Sequence, residues 1–406
     1  MSKGKRRRGN GEGSIYPAEG GYRGFVWVTG PDGLRRRKYF RAKTYEDAKR
    51  KWLKLHAQAR EGPVASDLPR LGDFLDYWLR EVVVTDLAPL TASTYETMVR
   101  LYIKPHLGTK RLDQIQVRDI RLWINKLRVT CQCCAQGKDE RRRQPRCCAL
   151  GRCCKQIASD RTIKDARGVL RSALNVALSE ELISKNPATA VRLSAKRKRK
   201  IKPWSVEEAR QFLESARQDT DPLYAAYVLI LVLGLRKGEL LGLTWDRVNL
   251  DLAELDVSRQ LQRVRRQLHH RETKTEASDA VLPLPEICVT AFRKREKSQA
   301  DAQDRAGDAW IDSGFVFTTE YGTPFEPRNF NRRFDTRCRK AGVRKITIHD
   351  TRHTCASLLA ALDVHPRVAM QILRHSDIKV TMEIYTHVPS EETRKALKRL
   401  GDSLDR

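Results

Sequence analysis

A multidomain chain, mainly α-helical with small β-sheets, is the fold class predicted by three features of the sequence. The chain has 406 residues, more than one ordinary core serves, so two or three domains are expected. Apolar residues recur at helical spacing through most of its length. Short β-branched and aromatic runs, bounded by turn-forming residues, interrupt that pattern at the N-terminus and again in the last third. The expected order is an N-terminal small β-sheet plus helix, a central helical bundle, and a C-terminal, mostly helical α+β domain.

The first unit, residues 1–64, contains "GYRGFVWVTGPDGLRRRKYF", in which "GPDG" supplies hairpin turn chemistry between two strand-like runs. Thr44 then serves as the N-cap of a helix through "YEDAKRKWLKLHAQARE". The second unit, residues 65–195, opens with Leu71, Phe74, Leu75, Trp78 and Leu79 at i, i+3, i+4, i+7 and i+8, the stripe of an amphipathic helix. Tyr95, Val99, Tyr102 and Ile103 mark a second helix, expected to stop at Pro105. "VRDIRLWINKLR" and "RTIKDARGVLRSALNVALSEEL" add two more. Residues 196–203 read as an exposed basic linker. Beyond it, Ser205 with Glu208 three residues later is the capping-box signature that opens a further domain, residues 204–406.

Charge narrows the partner. Lys and Arg number 79 against 50 Asp and Glu, a formal net charge of +29. Residues 1–60 alone hold 17 of these bases and 5 acids. Such an excess repels itself in a compact state, which favours a polyanionic partner, nucleic acid, over an anionic membrane or a merely solvated surface. The basic N-terminus leads into no apolar segment, and no run of 18 apolar residues occurs. The chain is therefore expected to be neither secreted nor membrane-spanning, but cytoplasmic and associated with nucleic acid.

Seven of the ten cysteines fall within 131–154, "CQCCAQGKDERRRQPRCCALGRCC", an insert in the helical unit. In a reducing compartment, clustered cysteines hold metal or stay free. Cys131 and Cys134 have C-x-x-C spacing, and Cys147, Cys148, Cys153 and Cys154 supply further thiols. A single structural zinc site is expected, with its four ligands left open. Free thiols in a surface loop are the alternative.

The last 170 residues carry the chemistry. Arg236 stands in "GLRKGELLGL", and Lys274 in "RRQLHHRETKTEASDAVLPLP", which reads as a hairpin with Lys274 at or beside its turn. His349 and Arg352 follow in "HDTRHT", His375 in "LRHSD" and Tyr385 in "IYTH". His349 and His353, four apart on a helix, have the spacing of a two-histidine zinc site. Such a site wants Glu directly after its first His, whereas Asp350 stands there, and Arg352 would set a cation beside the metal. Phosphate binding is the better reading of this stretch.

In this order, those residues resemble the tyrosine recombinase family, the phage-type site-specific integrases. The segment departs from the family pattern at Asp279, where a basic residue is usual. The resemblance implies cutting and rejoining of DNA through a covalent 3′-phosphotyrosyl intermediate, with no metal or ATP in the reaction. It makes Tyr385 the nucleophile, Arg236 and Arg352 the phosphate clamps, Lys274 the general acid, and His349 and His375 aids to positioning and proton transfer. It further implies arm-site DNA binding by residues 1–64, core-site binding by 65–195 and catalysis by 204–406. The implied partners are double-stranded DNA attachment sites, bound by four copies of the chain, and accessory directionality or DNA-bending proteins. A type IB topoisomerase or a non-catalytic DNA-binding regulator are the alternatives. The regulator leaves the combined set of arginines, histidines and tyrosine without a purpose.

Overall fold

The computed structural model describes residues 13–30, 33–61, 68–193, 202–272, 280–374, 377–378 and 381–382. The chain divides into two units, Met1–Lys196 and Arg197–Arg406. The described residues form a mainly helical structure with small sheets, in line with the fold class expected.

At the start of the first unit, strands β1 (Ser14–Ala18), β2 (Gly21–Thr29) and β3 (Arg35–Ala42) form one antiparallel sheet in that order. β1 was not anticipated. Pro17 argues against a strand in sequence terms, yet an edge strand tolerates a residue without an N–H donor. The pleat sends Gly24, Val26 and Val28 to a buried face, against which α1 (Tyr45–Glu61) packs with Ala48 inward. Thr44 Oγ1 accepts from the Asp47 N–H at 3.2 Å, the cap the sequence suggests. The opposite face pairs Arg23 with Arg41, Phe25 with Tyr39 and Trp27 with Arg37 across the strands. The Arg37 guanidinium lies 4.7 Å from the Phe25 ring centre and 4.8 Å from that of Trp27, a cation–π arrangement.

The helical part is built from α2 (Leu71–Trp78), α3 (Pro89–Met98), α4 (Val117–Val129) and α5 (Asp160–Ser179). Phe74, Trp78, Trp123, Leu127 and Leu170 meet in its core. Pro105 does not stop the second helix. The chain passes from α3 through a π-helical stretch, Val99–Ile103, into another turn, Lys104–Leu107. The Lys104 N–H reaches back five residues to the Val99 carbonyl, and this wide turn accommodates a residue that cannot donate.

In the second unit, α6 (Val206–Gln218) opens with the expected box: Ser205 Oγ accepts from the Glu208 N–H at 3.2 Å and Glu208 Oε2 from the Ser205 N–H at 2.9 Å. α7 (Tyr224–Val232) is buried from Ala225 to Leu231, as an all-apolar helix must be. Phe212, Phe292, Phe330 and Phe334 surround it. Its far end delivers the chain through Gly234 to α8 (Lys237–Leu241). Small strands follow: β4 (Val248–Asn249), β5 (Glu254–Asp256), β6 (Arg259–Val264), β7 (Gln267–Glu272) and β8 (Val281–Pro283). The rest is helical: α9 (Glu286–Ala306), α10 (Pro327–Lys340), α11 (Ile348–Ala361) and α12 (Pro366–Leu373).

The strand pairing corrects one expectation. β7 and β8 do not form a hairpin around Lys274: β7 pairs with β6, and β8 with β5. The actual turn is Arg265–Arg266, where Arg265 takes the left-handed conformation at φ 54°. Neither arginine carries the Gly or Asn signal of a tight turn, while the polar "TKTEASD" imitates one. Lys274 itself lies outside the described residues.

Candidate active site

Arg236 is the residue immediately before α8, with extended backbone at φ −71° and ψ 147°. Its guanidinium folds over the helix start, where Nη1 donates to Glu239 Oε1 at 2.6 Å and Nη2 to the Arg374 carbonyl at 3.2 Å. Its own N–H donates to Glu239 Oε2 at 2.9 Å. Arg236 is the exposed member of the group, with 39% of its side chain accessible. Arg352 reaches the same place from α11 and is buried; its Nη1 donates to the Gly234 carbonyl at 2.7 Å. Gly234 has to be glycine: its φ is +58°, and a Cβ would come within 2.6 Å of Leu373.

The "HDTRHT" stretch is explained by its helix start. Thr347 Oγ1 accepts from the Asp350 N–H at 3.2 Å, and Asp350 Oδ2 from the Thr347 N–H at 2.9 Å. Asp350 is thus half of a capping box. His349 lies exposed in the first turn, and Arg352 comes one turn later on the buried side. The His349 and His353 rings sit edge to face at 5.4 Å. Among the described residues, the groups of three or more metal-ligating side chains are cysteine sets, and none includes these histidines. Arg236, His349 and Arg352 line one cavity of about 470 Å³, together with Lys237, Asn331 and Lys345. Lys345 is tied to Asp335 at 2.6 Å.

One residue of the site was missed from sequence. Arg374, next to His375, is buried; its Nη2 donates to Glu239 Oε2 at 2.7 Å and its Nη1 to the Ile372 carbonyl at 3.0 Å. Its backbone is left-handed, φ 53° and ψ 51°, at the end of α12. Glu239 is the shared carboxylate between Arg236 and Arg374. No local periodicity reveals that the Arg374 guanidinium turns inward; only the three-dimensional pairing with Glu239 does. His375 and Tyr385 lie outside the described residues.

Three guanidiniums around one carboxylate leave a cationic excess in a partly dry site. Burial lowers the Arg352 pKa to about 9, and the charges of Arg236 and Arg374 push the same way. Burial lowers that of Arg374 as well, with Glu239 opposing. An anion placed at this cavity relieves that repulsion, and a phosphodiester suits it, because planar guanidiniums match phosphate oxygens with paired donors.

Glu239 makes the arrangement testable. Burial alone would favour its neutral acid, but Arg374, Arg236 and the Arg236 hydrogen bonds hold its pKa below the usual glutamate value. A depressed carboxylate contributes stability above its ordinary pKa and loses it as the pH falls through the lowered one. Glu239→Gln is expected to destabilise the protein at neutral pH by roughly 3–5 kcal/mol, as breaking buried pairs does, and to flatten the acid limb of the stability–pH curve. Urea unfolding across the acid range measures both. Equal stability of the two proteins at neutral pH would refute the clamp.

Such a cationic cavity suits an enzyme that handles a phosphodiester. Residues 204–392 match the phage integrase family, and residues 70–128 match the phage integrase N-terminal SAM-like domain. The chain belongs to the phage integrase family: it is a tyrosine recombinase, a site-specific integrase of mobile elements. It is 28% identical to a XerC-like tyrosine recombinase of Caldanaerobacter subterraneus subsp. tengcongensis, over 90% of this chain and 92% of that protein. It is 24% identical to an integrase of Saccharopolyspora erythraea, over 96% and 95%. In fold it resembles the Tn1549 transposon integrase solved with circular intermediate DNA (TM-score 0.64, 21% identity, 82% of this chain and 100% of that one). It also resembles the lambda integrase tetramer on a Holliday junction (TM-score 0.53, 15% identity, 93% and 96%).

Proposed function

We propose that the chain recombines specific double-stranded DNA sites by transient attachment to a 3′ phosphate. The observation that carries this reading is the single cavity shared by Arg236, His349 and Arg352, inside the segment that matches the phage integrase family. The Tyr385 oxygen attacks phosphorus, the bond to the 5′ oxygen breaks, and Lys274 protonates that leaving oxygen. Arg236 and Arg352 neutralise the phosphate oxygens as charge builds, while His349 and His375 position the phosphate and assist proton transfer. The phosphotyrosyl ester conserves the bond energy, so rejoining needs no nucleotide cofactor.

The other parts serve DNA recognition. The sheet of residues 14–42 sets Arg23 opposite Arg41 and Arg37 over the half-buried rings of Phe25 and Trp27. Facing like charges destabilise a sheet unless an anion meets them, which supports residues 1–64 as the arm-site module. The helical unit, residues 65–195, reads the core site. Four protomers assemble on two attachment sites in the cytoplasm, with accessory directionality or DNA-bending proteins as further partners. The cysteine insert holds structural zinc and takes no part in the chemistry.

The test is incubation with nicked attachment-site DNA, followed by a denaturing gel. A covalent protein–DNA adduct formed in the presence of a chelator is the expected result. Relaxation of plasmid lacking such sites points to a topoisomerase, and tight binding with no adduct to a regulator.

A further inference from the structure

The seven cysteines of residues 131–154 converge more specifically than a single zinc site requires. The Gln132 N–H donates to the Gln156 carbonyl at 2.7 Å and closes the neck of the insert. Buried Asp139 accepts from the N–H groups of Arg146 at 3.0 Å, Cys147 at 2.8 Å and Ala149 at 3.1 Å. That folds the later cysteines back toward the earlier ones. Of residues 131–157, only Cys131, Gln132, Cys133 and Asp139 are buried, so the insert has no apolar core. Its only dense interior is sulfur.

The sulfur spacing is informative. Cys131 Sγ lies 3.9 Å from that of Cys148 and 3.8 Å from that of Cys154. Cys133 and Cys147 are 3.9 Å apart, Cys134 and Cys153 3.7 Å, and Cys148 and Cys154 3.7 Å. All seven are free thiols, and an odd number cannot pair completely as disulfides. Zinc bound tetrahedrally at about 2.3 Å from each sulfur has sulfur–sulfur edges of about 3.8 Å. The thiols form two quartets, Cys131, Cys134, Cys148 and Cys153, and Cys133, Cys147, Cys148 and Cys154; within each, all ligand atoms lie within 4.8 Å of one another. The two quartets use every sulfur and share Cys148.

We propose that the insert is a two-zinc cluster of seven thiolates in which Cys148 bridges the metals. The proposal rests on the reading that the insert binds zinc, and it adds Cys133 to the ligands anticipated from sequence. Two quartets with one common member need seven cysteines, which is the number present. Two dications and seven thiolates leave a negative excess, which the seven Lys and Arg of residues 131–157, set against Asp139 and Glu140, offset.

The full chain, produced with zinc and purified without chelator, is expected to retain about two zinc ions per molecule. After exchange with cadmium-113, NMR is expected to show two cadmium resonances in the thiolate range, split by coupling through the shared sulfur. Cys133→Ser and Cys153→Ser each remove a ligand from one quartet and are expected to leave about one tightly held ion. One zinc per chain in the unaltered protein, or two uncoupled resonances, overturns the bridged cluster while leaving zinc binding intact. No retained metal overturns both.

Discussion

Tyr385→Phe eliminates the covalent protein–DNA adduct while DNA affinity stays close to that of the unaltered chain: this is the largest effect expected of any single substitution. The change removes one oxygen and leaves the ring, so the substitution takes away only the atom proposed to attack. Affinity is carried elsewhere, since a chain with 79 Lys and Arg has many phosphate contacts available. The measurement is a gel after boiling in detergent, paired with a binding titration at fixed salt. An adduct of undiminished yield would place the nucleophile at another residue.

The second large effect concerns the guanidinium pair. Arg352→Lys replaces a two-pronged donor with a point charge at a buried position that also holds the Gly234 carbonyl. Losing one transition-state contact costs on the order of 3 kcal/mol, or about a hundredfold in rate, so cleavage should be slow but present. Arg236→Ala removes the charge altogether and also releases one side of Glu239. Its cleavage rate is expected to fall about a thousandfold. Single-turnover cleavage of a nicked substrate reads both, with thermal unfolding as the control for folding. Retention of wild-type rates in folded Arg352→Lys and Arg236→Ala would remove both arginines from the mechanism.

Local signals carried much of this architecture. The Ser205–Glu208 box, the Thr44 cap and the apolar stripes on α2 and α4 depend on neighbours in sequence, so they are legible in one dimension. Two errors came from the same source in reverse. Pro105 reads as a stop because the rule for proline assumes a regular α-helix, and the π-helical turn before it relaxes that assumption. "TKTEASD" reads as a turn because its composition is turn-like, whereas the real turn at Arg265–Arg266 has no such composition. The site divides likewise. Arg236, His349 and Arg352 were visible as a combined pattern. Arg374 and Cys133 were not, because each acquires its place only through partners brought together by folding.

Arg374 has a consequence for how such a site can change over generations. A left-handed residue other than glycine carries a backbone penalty of about 1–2 kcal/mol, and Arg374 sustains it at φ 53° while its guanidinium grips Glu239. Glycine at this position would relax the backbone but take away one of the two guanidinium partners of the buried Glu239 carboxylate, and the loss of a buried partner outweighs the torsional relief. Neutral replacement of Glu239 alone would strand Arg374 in turn. Positions 239 and 374 are therefore free to drift only as a pair, and a descendant chain with glycine at 374 should carry its compensation at or beside 239.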